Sequence, residues 1–343
     1  MTAACGPAHT LPGGPLSGSK GVEGWGIRRR LPRLLAFLAF VSTPVLADLH
    51  QGWYAPRAAE FAQASASLPT AIGSLCAATP VTAPAALEQA RARWLESLAA
   101  WERFSAVAIG PLLERRAQRQ LDFNPTRPHL IEKAVHSAPN TPADMERIGT
   151  PAKGLPALEW LLWVKPARPA SLECRYAVQV AAEIAREADA LAGAPPISRD
   201  ESESWSELLN QWLFGLEKLR WAGMEMPLRR TMTAEQAGRA LPVFPRQASA
   251  ATATAWREQW RALRELALGP FSLRAALAAR GVATKDLEQA LERADQAMDG
   301  LNSEDGGRIL AAAETLGELQ KLVETRVASA LGVSLGFSDA DGD

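Results

Sequence analysis

The stretch GTPAKGLPALEWLLW, Gly149 to Trp163, sets one carboxylate, Glu159, into a run of apolar residues that includes two tryptophans. A carboxylate there can do two kinds of work. It can face a groove between helices and take a cation or the donor groups of a ligand. It can instead hold a helix start, because the free N–H groups and positive end of a helix favour an acid in the first turn. Pro156, three residues earlier, fits such a first turn, where its missing N–H costs nothing. A second pair, His129 and Glu132 in HLIE, lies at i and i+3 on one helix face and offers two metal donors. The ordinary reading of His129 is a helix-start histidine. The chain has four histidines. No His-Glu-x-x-His pair, phosphate-binding P-loop or dinucleotide fingerprint is present. The segment DADGD (339–343) resembles the start of a calcium loop, but Gly342 is out of register, so a solvated polar tail is expected.

Side chains with such tasks need a scaffold, and the composition points to helices. Ala, Leu, Glu and Arg dominate, Tyr numbers only 2, and Trp supplies 11 residues against 9 Phe. These are helix formers, with few residues of high strand preference. At 343 residues the chain is long enough for two domains or one large helical one. A formal net charge of −1, with no basic block beyond the first 35 residues, gives no electrostatic support for nucleic-acid binding.

The first 47 residues read as a processing segment. Residues 1–26 are rich in Gly, Pro and Ser and lack periodicity, as expected of a spurious N-terminal extension. Arg28, Arg29, Arg30 and Arg33 then form a positive region, followed by an apolar run from Leu34 to Phe40 that continues weakly to Leu46. Val45 and Ala47 fit the small-residue positions of a signal-peptide cleavage site, predicting a cut between Ala47 and Asp48. The apolar run is too short to span a bilayer. The expected mature chain carries 32 basic and 37 acidic residues, a net charge of −5, and no transmembrane anchor. Export places it in the periplasm or cell envelope. There the two cysteines that remain, Cys76 and Cys174, are expected to pair. Such a bond closes a loop of roughly 100 residues and contributes about 3–5 kcal/mol in the chain-entropy model.

Along the mature chain, 50–78 reads as one long helix. Leu87, Ala90, Trp94, Leu98, Trp101 and Phe104 form the apolar stripe of a second, at steps of three and four. Gly110-Pro111 marks a kink or turn, and 121–129 and 136–149 read as loops rich in turn residues. Helical pattern returns at 174–193 and 202–224, breaks over 225–248, which contains three prolines, and resumes at 249–268, 271–280, 284–299 and 305–331. No segment alternates with period 2. The expectation is an all-α protein divided near 195–201, with a first helical bundle over 48–195 and a second over 196–343.

AKGLPALEWLLW resembles the signature segment of the imelysin family, bacterial envelope proteins also called imelysin-like peptidases. LAAWERFSAVAIGPL (98–112), LRWAGMEMPL (219–228) and the ending SLGFSDADGD (334–343) agree in order, and the likeness is greatest to the branch of periplasmic lipoprotein-like members. It covers about 50–343. The resemblance implies two packed four-helix bundles related by a pseudo-two-fold, a link to iron acquisition, and a Gly-x-His-x-x-Glu signature for metal binding. Here Gly154 and Glu159 match that signature, but Pro156 stands at the His position and offers no side-chain lone pair. The expected role is therefore a non-catalytic accessory or binding protein in iron or metal acquisition, working with other envelope proteins of that uptake. In this reading Gly154 makes the turn, Glu159 is the groove acid and Arg220 its counter-ion, with iron or another divalent metal as candidate ligand. The alternatives are a helical protein-interaction module and a metallopeptidase built on His129 and Glu132.

Overall fold

The computed structural model describes residues 49–235 and 242–336. The expected signal peptide, its cleavage point between Ala47 and Asp48, and the tail 339–343 lie outside them. All described secondary structure is helical. A π-helical turn, His50–Tyr54, leads into α1 (Ala55–Ala66) and α2 (Leu68–Ala77), which break only at Ser67. α3 (Ala83–Ser105) follows, and Trp94, Leu98, Trp101 and Phe104 of its predicted stripe are fully buried. α4 (Pro128–Ser137) and α5 (Gly154–Glu159) precede the long α6 (Leu172–Ala192). α1, α2, α3 and α6 pack on one another, and the Cys76–Cys174 disulfide ties α2 to the first turn of α6, with 5.6 Å between Cα atoms.

The second half begins with α7 (Glu201–Glu217), started by an Asp200/Glu203 capping box. It passes through a π-helical stretch, Lys218–Glu225, into α8 (Met226–Glu235). α9 (Thr252–Leu268), α10 (Lys285–Met298) and α11 (Gly306–Leu322) complete it, with a short helix, Leu273–Ala279, between α9 and α10. α9 packs along α3, which joins the halves. Trp212 Nε1 donates to Leu263 O at 2.8 Å, and Gly215 lets Ala106 O approach so closely that a Cβ would lie 1.9 Å from it.

Three local expectations need correction. The break read over 225–248 holds a helix, α8, with Pro227 inside its first turn; the preceding π turn widens the backbone where the proline ring would otherwise meet a carbonyl. The 136–149 loop contains a short helix, Pro142–Glu146, started by a Thr141/Asp144 capping box. His50, whose place near the cleavage point suggests exposure, is buried and stacks on Tyr54 at 4.8 Å, and burial lowers its pKa. No helix among the described residues is long and apolar enough to cross a membrane.

Candidate ligand cavity and its buried charge cluster

Gly154 opens α5 with φ +71, and a Cβ there would lie 2.3 Å from Leu121 O. Only glycine allows both the left-handed backbone and the contact. The contact brings the chain at Leu121, and hence Asp122, against the start of α5. Trp94 Nε1 donates to Leu155 O at 3.2 Å, and Arg91 grips Leu162 O through Nε and Nη2, so α3 fixes the helix along its length. Pro156 sits in the first turn, as expected, and is buried.

Glu159, at the end of α5, is 5% exposed. Its Oε1 accepts from Ser249 N at 3.0 Å and Ser249 Oγ at 2.6 Å. Ser249 belongs to the irregular segment 244–251, where Arg246 and Ala250 both have positive φ. That segment drives Arg246 inward until the residue is 3% exposed. Arg246 Nε donates to Glu102 Oε1 at 3.1 Å, and Nη2 donates to Asp122 Oδ1. The remaining acceptors are also engaged. Gln259 Nε2 donates to Glu102 Oε2 at 2.6 Å, Asn124 Nδ2 to Asp122 Oδ1 at 2.7 Å, and Trp101 Nε1 to Asp122 Oδ2 at 3.2 Å. Arg246 Nη1 is buried with no hydrogen-bond partner among the described residues.

The cluster is electrostatically closed. Burial works to raise the Asp122 pKa, but the charges of Arg246 and Lys218 and hydrogen bonds from Trp101 and Arg246 outweigh it and hold the carboxyl below its usual value. Burial works to lower the Arg246 pKa, and the charges of Asp122, Glu102 and Glu159 raise it instead. Above the cluster opens a cavity of about 660 Å³. Glu102, Asp122, Glu159, Arg246 and Lys218 give it polar groups, and Trp160, Val164, Met226, Phe244 and Trp256 give apolar wall. Two walls come from π-helical stretches, Trp160–Val164 and Lys218–Glu225, a geometry that recurs at functional sites.

Gly154 and Glu159, the two residues read from the sequence, begin and end α5, and of the two Glu159 lines the cavity. Arg220 stands elsewhere: Nη1 donates to Glu225 Oε2 at 2.9 Å and Nε to Gln320 Oε1 at 3.3 Å. The charge of Glu159 acts instead on Arg246, the buried cation of the cluster. His129 is exposed, and Glu132 pairs with Lys165 at 3.4 Å. The spacing Gly332-x-Ser334-x-Gly336 matches a serine nucleophile elbow, but it follows a helix instead of a strand, so the strained turn that such chemistry needs is missing.

A resident metal does not fit this donor set. Pro156 contributes no ligand atom, and Glu102 and Asp122 are spent on the fork of a guanidinium, which is wider than a metal ion. Arg246 also places its own positive charge between the two carboxylates, where it would repel a metal ion. Among the described residues no three His, Cys, Asp or Glu side chains are placed to hold a metal ion.

No curated protein matches the chain. An imelysin-like protein from Psychrobacter arcticum 273-4 shares the fold, with a TM-score of 0.67 and 16% identity over 85% of this chain and 96% of that one. A putative iron-regulated protein A precursor from Parabacteroides distasonis ATCC 8503 does so with a TM-score of 0.64 and 13% identity, over 84% and 94%. The imelysin family model matches residues 54–331, and the chain belongs to the imelysin family.

Proposed function

We propose that this protein is an exported, non-catalytic member of its family that serves iron or metal acquisition in the bacterial cell envelope by holding an organic ligand in the cavity above Glu159. The observation that carries the reading is the closed Glu102–Asp122–Arg246 cluster at the foot of a cavity of about 660 Å³. All four oxygens of its two carboxylates already accept from protein donors, so they are not poised as a base or a metal donor set, yet the space fits small-molecule binding. The positively charged, then apolar, N-terminal stretch ending at Ala47 supports export. The name of the Parabacteroides distasonis protein supports the tie to iron. The ligand would reach or leave the cavity in company with other envelope proteins of metal uptake.

Deleting the gene should slow growth when a chelator limits iron, and the wild-type protein should restore it. Ala222→Trp, which fills the cavity from its π-helical wall, should fold and fail to restore it. Equal growth with and without the gene would remove the metal-acquisition reading. Full rescue by Ala222→Trp would remove the cavity from the function.

A further inference from the structure

We propose that the cavity takes a small zwitterion with an apolar body, an amino acid of aromatic or branched type, with its ammonium on Glu159 and its carboxylate on Lys218. The proposal rests on the reading of this cavity as the ligand seat. It begins from a count of hydrogen-bonding capacity among the cavity's charged groups, of which Arg230 is already engaged. Both oxygens of Glu102 and both of Asp122 already accept from protein donors. Glu159 differs. Both of its described hydrogen bonds fall on Oε1, and Oε2 has no donor among the described residues. That oxygen is open to solvent and keeps the capacity to accept an N–H from a ligand.

Lys218 is its counterpart. The residue is half-buried and lines the same cavity, and its charge is felt at Asp122. Its ammonium, with three donors, makes no hydrogen bond or ion pair among the described residues. Nor do Lys218 and Glu159 pair with each other. One cavity therefore holds two opposite charges, kept apart and each with open capacity. A simple anion would satisfy Lys218 and face Glu159 unfavourably, and a simple cation would do the reverse. A molecule that carries both charges satisfies both groups. Arg246 does not compete for the ligand, because its Nε and Nη2 are committed and Nη1 is sealed from the cavity. Trp160, Phe244 and Trp256 then offer apolar and aromatic surface for the ligand's body.

Isothermal titration of the full-length, disulfide-intact protein with three probes tests this. The probes are L-tryptophan, tryptamine, which lacks the carboxylate, and indole-3-propanoate, which lacks the ammonium. L-Tryptophan should bind at least tenfold more tightly than either. Lys218→Met should abolish its advantage over tryptamine, and Glu159→Gln its advantage over indole-3-propanoate. Equal binding of all three probes would overturn the zwitterion and leave the cavity as a ligand seat. No binding of any probe at millimolar concentration, with Ala222→Trp still failing to restore growth on limited iron, would also overturn the zwitterion and leave the function standing. No binding together with full rescue by Ala222→Trp would overturn both. The comparison among probes needs no variant, so it decides the matter even if Glu159→Gln does not fold.

Discussion

Glu102 and Arg103 are neighbours on α3, yet they enter two ionic networks of opposite character. Glu102 joins Arg246 and Asp122, and all three side chains are only 2–3% exposed. Arg103 reaches Glu258 at 2.8 Å and also Glu60, joining α1, α3 and α9, but its side chain is 19% exposed and that of Glu60 is 42% exposed. Burial works to lower the Arg103 pKa, and the hydrogen bond and charge of Glu258, then those of Glu60, raise it overall. Water stands ready to replace a lost partner in the outer network and cannot do so in the inner one. The inner network therefore holds only when complete, whereas the outer one weakens by degrees.

Arg246→Ala should break this contrast most severely. It leaves Glu102 and Asp122 buried without their cation, a loss of about 3–5 kcal/mol in urea unfolding at pH 7. The sign of the pH dependence follows from Asp122. Its folded pKa is depressed, so its contribution is present above the unfolded pKa and disappears as pH falls through the folded one. In the variant the stranded acids take up protons more readily and are relieved by them. The gap between wild type and variant should therefore narrow as pH falls from 7 towards 4. A gap that stays constant with pH would mean that lost packing, not stranded charge, causes the destabilisation.

Gly154→Ala tests the backbone contact that brings Asp122 to α5. With φ +71 and Leu121 O at 2.3 Å from the added Cβ, the carbonyl and helix start must separate. A loss of about 2–4 kcal/mol is expected, since both strain and backbone overlap act. Weaker binding in the cavity should accompany it, because Asp122 and Glu159 are both reset by the shift. Unchanged stability would show that the Leu121 contact yields freely.

The members of the inner cluster were unequally legible in the sequence. Glu159 stood out because an acid interrupted an apolar stretch behind a proline, and Gly154 because it matched the glycine of the family signature. Glu102 left a usable trace: it falls four residues after Leu98, as the one charged residue on the buried side of α3. Asp122 left none, since its loop has no periodicity. Arg246 lies 144 residues from Glu102 in a proline-rich break, and it enters the core through a left-handed backbone that no local pattern announces. Arg220 drew attention instead because it sits in a helical segment with clear periodicity. Helices are written in local repeats, so the all-α class was legible along the chain. The pairing of charges is written in long-range contacts, so the counter-ion was not.

Arg103→Ala gives the smaller effect that sharpens the comparison. It removes the links to Glu258 and Glu60, but Arg261 Nη1 remains 3.0 Å from Glu258, and Glu60 faces solvent. A loss of about 1 kcal/mol is expected, mostly from the partly buried Glu258 hydrogen bond. Arg326→Ala, which frees Asp286 where both side chains are more than 60% exposed, should leave the urea midpoint within error. Salt then separates the classes further. Raising ionic strength should erase part of the Arg103 effect, because the Glu60 arm is screened, and should leave the Arg246 effect nearly intact, because ions cannot enter the cluster. If salt reduced the cost of both substitutions equally, the inner cluster would be reached by solvent ions, and its closure as the cavity's floor would have to be abandoned.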